Sequence, residues 1–329
     1  MNPNNPIKAE ESLPMPADWT NPNPAYGVSI TGHRLLGRVV YAQNVNHLIA
    51  GIEKTAEIVA EQTGCDIRRP ASDPKWRGIP KQYHDKGQLE AVKSVGVIAP
   101  IKDDDAVKQM QDALPSMMKD MRQREFIYQT NAGNMSLSRL FAGRPDFMRR
   151  SKSLPQQKPI VGIGVNVSAN ADINANIVAL RGIVATIAAE ILELRGYPVE
   201  VFAVELGSGA YYQTRTLQGH EIPRNNATIV KIKGAGEVFN EGKMQNALSA
   251  WFFRTGLFHA IRMGDPEQVT GGLGSAMYGN DDIETAIAKC IGVDEFTMAR
   301  YKPSSNTKPA ELEKAIKAFV GDILDRYPI

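Results

Sequence analysis

Cations and aromatic rings are interleaved over residues 119–152, where Arg122, Arg124, Phe126, Tyr128, Arg149 and Arg150 belong to a set of eight Lys/Arg against three Asp/Glu. A single strand of nucleic acid requires that combination: positive charge along its phosphates and flat rings for its bases, each stacked base contributing ~1–3 kcal/mol. A second stretch, "RRPASDPKWRGIPKQYHDK" from Arg68 to Lys86, sets Trp76 and Tyr83 among further cations. The candidate contacts are Arg122, Arg124, Arg149 and Arg150 to phosphates, with Phe126, Tyr128 or Trp76 against bases. Phe126, Phe141 and Phe147 equally suit a packed core, which would leave the charges as a solvated face.

Other constellations are thinner. Glu205 stands beside Gly207-Ser208-Gly209 at the end of an apolar stretch, the position where ligands gather at the carboxyl edge of an open sheet; a solvated loop carboxylate is the plainer reading. The run "GGLGSAMYG" over 271–279 lacks the Gly-Lys-Ser/Thr of a phosphate loop and reads as a flexible turn. His33, His47, His84, His220 and His259 have no metal-ligand spacing, and no serine lies in a Gly-x-Ser-x-Gly elbow. Cys65 and Cys290 are far apart, outside any Cys-x-x-Cys pattern, as expected of reduced thiols in a cytoplasmic protein. No catalytic signature emerges. A formal net charge of +2 excludes a broad nucleic-acid-coating surface and leaves a narrow basic groove. The start of the chain lacks a signal-peptide pattern, and apolar runs stop short of the ~18 residues of a span, so no membrane partner is expected.

The elements that must carry these residues follow from periodicity and punctuation. A Pro-rich arm, 1–40, precedes an amphipathic helix with Asn44 as N-cap, Val45, Leu48, Ile52, Ala56 and Val59 on one face, and Gly64 as stop. Residues 65–100 read as mostly loop with one short strand, and a helix is expected from 103–105. "SLSRLFAGRPDFMRR" reads as a short helix ended by Gly143 and Pro145, and "SKSLPQQKP" as a linker closing a basic helical extension, 41–154. Beyond it the pattern turns α/β. "PIVGIGVNV" is the unbroken apolar run of a central parallel strand. A helix over Ile177 to Leu194 and the strand "VEVFAVE" complete a βαβ unit. "ATIVKIKG" is a third strand and "MQNALSAWFFRTG" a second helix. "LFHAIRMGD" fits either a fourth strand or a helical continuation. A helix from about Asp282 to Cys290 and an amphipathic closing helix occupy 281–329.

Three blocks carry a family resemblance: "LSRLFAGRPDFM", "ALRGIVATIAAEILELRGYPVEV" and "ALSAWFFRTGLFHAIR". Together with the strand "PIVGIGVNVSAN", residues 135–285 resemble a von Willebrand factor A-like domain of an uncharacterised family common in bacteriophages and mobile elements. The resemblance implies a Rossmann-type sheet over 155–280 and a metal-ion-dependent adhesion motif at the end of its first strand. Asn166, Ser168 and Asn170 occupy the motif's Asp, Ser and Ser positions, and Asp265 would be the distal carboxylate if it ended a fourth strand. Replacing the leading Asp by a neutral amide removes charge that offsets dehydration of Mg²⁺, so a bound ion is not expected to be tight.

The expectation is an A-like α/β domain with helical N- and C-terminal extensions, acting as a non-enzymatic, phage-type accessory factor. It would bind single-stranded DNA and a protein partner such as a phage RNA polymerase, in phage transcription or replication in the host cytoplasm. The alternatives are an adaptor that docks a partner at the sheet edge, with or without a divalent ion, and a metal-dependent hydrolase built on Glu205 and Asp265.

Overall fold

A computed structural model describes residues 12–13, 28–33, 35–96, 126–129, 134–135, 148–151, 158–168, 175–208, 214–217, 220–223, 225–237, 241–264, 275–276, 280–298 and 309–327 of the 329. In chain order, β1 is Ser12–Leu13, β2 Val28–His33 and β3 Gly37–Ala42, followed by α1, Val45–Thr63. The Asn44 side chain caps α1 by accepting from the His47 N–H at 2.8 Å, and Gly64 ends it at φ 69°, both as the sequence predicts. Next come α2 (Pro74–Arg77), a 3₁₀ turn (Lys81–Tyr83) and α3 (Gln88–Lys93). Residues 65–96 therefore alternate short helices with turns, and the short strand expected there does not form. Asp73 and Pro74, an N-cap followed by an N1 proline, are the signal for α2.

β4 (Phe126–Gln129), β5 (Asn134–Met135) and β6 (Met148–Ser151) form a separate antiparallel sheet with β6 at its centre. The rest of the expected 136–150 helix, and the one expected from 103–105, lie outside the described residues. β7 (Val161–Asn166), α4 (Ala175–Leu194) and β8 (Val199–Ser208) are the anticipated βαβ unit, with β7 and β8 adjacent and parallel. A hairpin, β9 (Thr214–Leu217) and β10 (His220–Pro223), precedes β11 (Asn226–Lys233), which runs antiparallel to β8. α5 (Glu241–Ala247) leads to α6 (Ala250–Phe252), a π-helical turn over Phe253–Leu257, and α7 (Phe258–Gly264). The segment before Asp265 is thus helix, and the fourth strand considered there does not form. β12 is Ser275–Ala276, α8 Asp281–Ile291, β13 Glu295–Met298 and α9 Pro309–Arg326. β13 lies in the region read as purely helical.

These elements make a mixed α/β fold around one large sheet in the order β1-β2-β3-β11-β8-β7-β13, with helices on both faces. Its five-strand centre, β3-β11-β8-β7-β13, is parallel except at the β11–β8 pair. β3, from the stretch read as a Pro-rich arm, is inserted between β2 and β11. Strand alternation sorts the side chains onto two faces. Val40, Val161, Ile163, Val165, Ala203 and Val230 join the core under α1, α4 and the α5–α7 run, whereas Val39, Phe202, Val204, Ile229, Phe296 and Met298 pack with α8. "VGIGVN" is therefore two-sided. Its Val/Ile positions meet helices, and Gly162 and Gly164 leave room for the Phe296 ring of β13: a Cβ at Gly164 would stand 2.3 Å from Phe296 Cζ. Among the described residues no helix is long and apolar enough to cross a membrane.

Candidate nucleic-acid interface and the polar end of the sheet

The small sheet brings together part of the predicted nucleic-acid set. β4 and β6 pair so that Tyr128 lies opposite Arg149, Phe126 opposite Ser151 and Ile127 opposite Arg150, with Asn134 of β5 across from Arg149. Directly opposed positions share a face and successive positions alternate. Phe126, Tyr128 and Arg149 therefore belong to one face, and Arg150 to the other. Arg122 and Arg124 lie outside the described residues.

Trp76 belongs to a different structure. Asp73 Oδ1 caps α2 by accepting the Trp76 N–H at 3.0 Å, which fixes the helix that carries the indole. The half-buried ring packs 6.4 Å from Phe258 between centroids, and the Arg254 guanidinium lies 4.5 Å from its centroid. Arg254 donates to the Trp76 carbonyl, and Arg77 donates to the Arg254 carbonyl. Each arginine thereby ties α2 to the π-turn of the buried helix run. Burial lowers the pKa of Arg254, and burial together with the like charges of Arg262 and Arg254 lowers that of Arg77. Sequence reading missed Arg254 and Arg262, and considered His259 only as a histidine without metal-ligand spacing. The available signal was the presence of charged residues within the apolar run "WFFRTGLFHAIR".

The end of β7 is a closed polar junction. Asn166 Oδ1 accepts the Ser168 N–H at 2.9 Å, and Ser168 Oγ accepts the Leu206 N–H at 2.6 Å, both side chains being buried. These neutral oxygens, engaged with backbone amides, do not fit the anionic oxygen set that a hard divalent cation favours. Asn170 and Asp265 lie outside the described residues. Among the described residues no group of three or more His, Cys, Asp or Glu converges as a metal site.

Glu205 is neither on a solvated loop nor at a strand end, because β8 continues to Ser208 and leaves it 3% exposed. Asn166 pairs with Val204, so alternation places Glu205 on the opposite face from Asn166, together with Val40 and Thr228. Asn226 Nδ2 donates to Glu205 Oε2 at 2.8 Å. Burial drives the Glu205 carboxyl up to about 8, against the opposing pulls of Asn226 and Thr228. Gly207 accommodates the Asn226 amide, since a Cβ there would lie 2.6 Å from Asn226 Oδ1.

No curated protein and no solved structure matches the chain. A family model does match, over residues 43–318, from the residue after β3 into α9. The chain belongs to the family described as Domain of unknown function (DUF7192).

Proposed function

We propose that this chain is a single-stranded-DNA-binding accessory factor built on a von Willebrand factor A-like sheet, of phage type, that also engages a protein partner such as a phage RNA polymerase. The β7–α4–β8 unit, with β13 parallel on the far side of β7, supports the A-like reading. The observation that carries the nucleic-acid reading is the register of the small sheet. Its pairing assigns Phe126, Tyr128 and Arg149 to register positions of one face of an antiparallel sheet. Sheet faces of this composition suit single strands, because rings stack on bases of any sequence while the cation meets phosphate.

Fluorescence anisotropy with a labelled oligothymidylate tests this at two salt concentrations. Binding at low salt that weakens as salt rises is expected, because phosphate contacts release counterions. Tyr128→Ala and Arg149→Ala should each weaken binding about tenfold, and Arg150→Ala, on the other face, should weaken it less. Absence of binding at low salt, indifference to salt, or wild-type affinity in both Tyr128→Ala and Arg149→Ala would overturn the reading.

A further inference from the structure

We infer that Arg77, Arg262 and His259 form a binding site for a phosphate-class oxyanion, at the junction between the end of α1 and the α2–α7 contact. This does not depend on DNA binding by the small sheet. Arg77 and Arg262 are half-buried and close enough for the charge of Arg262 to disfavour that of Arg77, beside Cys65, which follows the Gly64 cap of α1. Among the described residues no carboxylate lies within ion-pair distance of either guanidinium. The two acidic groups whose charge reaches the cluster are engaged elsewhere. Asp66 holds Arg68 at 2.8 Å, and Asp73 caps α2. The Arg262 Nε and His259 Nε2 atoms are buried without a hydrogen-bond partner among the described residues, and His259 is 1% exposed.

Buried donors left unpaired are costly, and converging guanidinium groups repel one another. An oxyanion removes both costs: its oxygens accept from the two arginines and its charge offsets theirs. The neutral His259 imidazole contributes a hydrogen bond in the tautomer that carries the proton on Nε2. Reciprocal bonds between Arg77, Arg254 and the carbonyls of the facing segments hold the cluster in place without a ligand. The π-turn at Phe253–Leu257 sets the register of His259 and Arg262 relative to Arg254, and such local under-winding is common at functional sites.

The oxyanion could be free phosphate or a phosphodiester, and two probes separate these sources: inorganic phosphate, and an abasic deoxyribose-phosphate oligomer that offers phosphates without bases to stack. Calorimetry and thermal melting at low ionic strength should show heat and an upward melting shift with at least one probe. Arg262→Met keeps the apolar stem and removes the unpaired charge. It should melt no lower than the wild type while binding the probe about ten- to hundred-fold more weakly. Tyr128→Ala should bind both probes as the wild type does, which keeps this test separate from that of the small sheet. No heat and no melting shift with either probe, or undiminished binding by a folded Arg262→Met, would overturn the site.

Discussion

Glu205 is a carboxyl that the fold holds protonated at neutral pH, and His259 is an imidazole that it holds neutral. Burial pushes Glu205 from its ordinary 4.5 up to about 8, and burial, aided by Arg262, pushes His259 from 6.5 down to about 3. The two groups shape stability in opposite directions. Between pH 4.5 and 8 folded Glu205 keeps a proton that the unfolded chain has released, so its contribution is full below 4.5 and declines as pH rises towards 8. Between pH 3 and 6.5 unfolded His259 takes up a proton that the folded chain refuses, so its contribution is full above 6.5 and declines as pH falls. Each slope is at most about 1.4 kcal/mol per pH unit. From these two groups a plateau is expected between pH 4.5 and 6.5, with descent on either side. Glu205→Gln should abolish the alkaline descent, melting higher than the wild type at pH 8 and no higher at pH 4.5. A melting difference that is the same at both pH values would refute this account. Neither shift was legible in the sequence, where Glu205 borders a Gly-Ser-Gly run, because its burial follows from a strand three residues longer than its apolar core suggests, inside a sheet covered on both faces.

At the scale of elements, the sequence was most readable where local chemistry decides the outcome. Asn44 and Gly64 bracket α1, and the apolar period of α4 and the unbroken run of β7 needed no distant partner to be recognised. It was least readable where pairing is remote or elements are short. β3 owes its interior place to β11, which lies far along the chain, and α2 and α3 span too few turns for a period to register. The π-turn inside the apolar run leaves no mark in periodicity at all. Even the well-read β7 concealed the assignment of its two faces. Gly162 and Gly164 lie under Phe296, and a methyl group at Gly164 would stand 2.3 Å from Phe296 Cζ and 2.5 Å from Met298 Cγ. Gly164→Ala should therefore cost about 1–3 kcal/mol by overpacking, read as a lower urea midpoint. Combining it with Phe296→Leu, which withdraws the ring edge, should cost less than the two changes summed. An unchanged midpoint in Gly164→Ala would show that β13 yields freely and that the glycine is not a packing requirement.

For the molecule as a whole, the question is whether the part that defines the family is also the part that folds. The family model begins at residue 43, immediately after β3 ends at Ala42, so β2 and β3 lie outside the match. Yet β3 covers the edge of β11 from Asn226 to Val230, and its residues enter both cores, Val40 and Ala42 on the face of α1 and Val39 on that of α8. Gly37 fixes the turn between β2 and β3 at φ 67°, where an added Cβ would lie 2.0 Å from the Asn225 carbonyl oxygen at the mouth of β11. The Arg38 N–H bonds that same carbonyl at 3.0 Å. Removing residues 1–42 would strip β11 of its neighbour, expose an unpaired strand edge and open both cores at Val39 and Val40. The deleted chain should lose the sharp urea transition of the full protein and elute as aggregates on size exclusion. A monomeric product with a cooperative transition at the wild-type midpoint would instead show that the region matched by the family closes its own sheet and that β2 and β3 are an accessory pair. The predicted failure follows from topology. A strand paired antiparallel to β2 and parallel to β11 cannot be replaced by a local rearrangement, because no other described strand is free to occupy its place in the sheet.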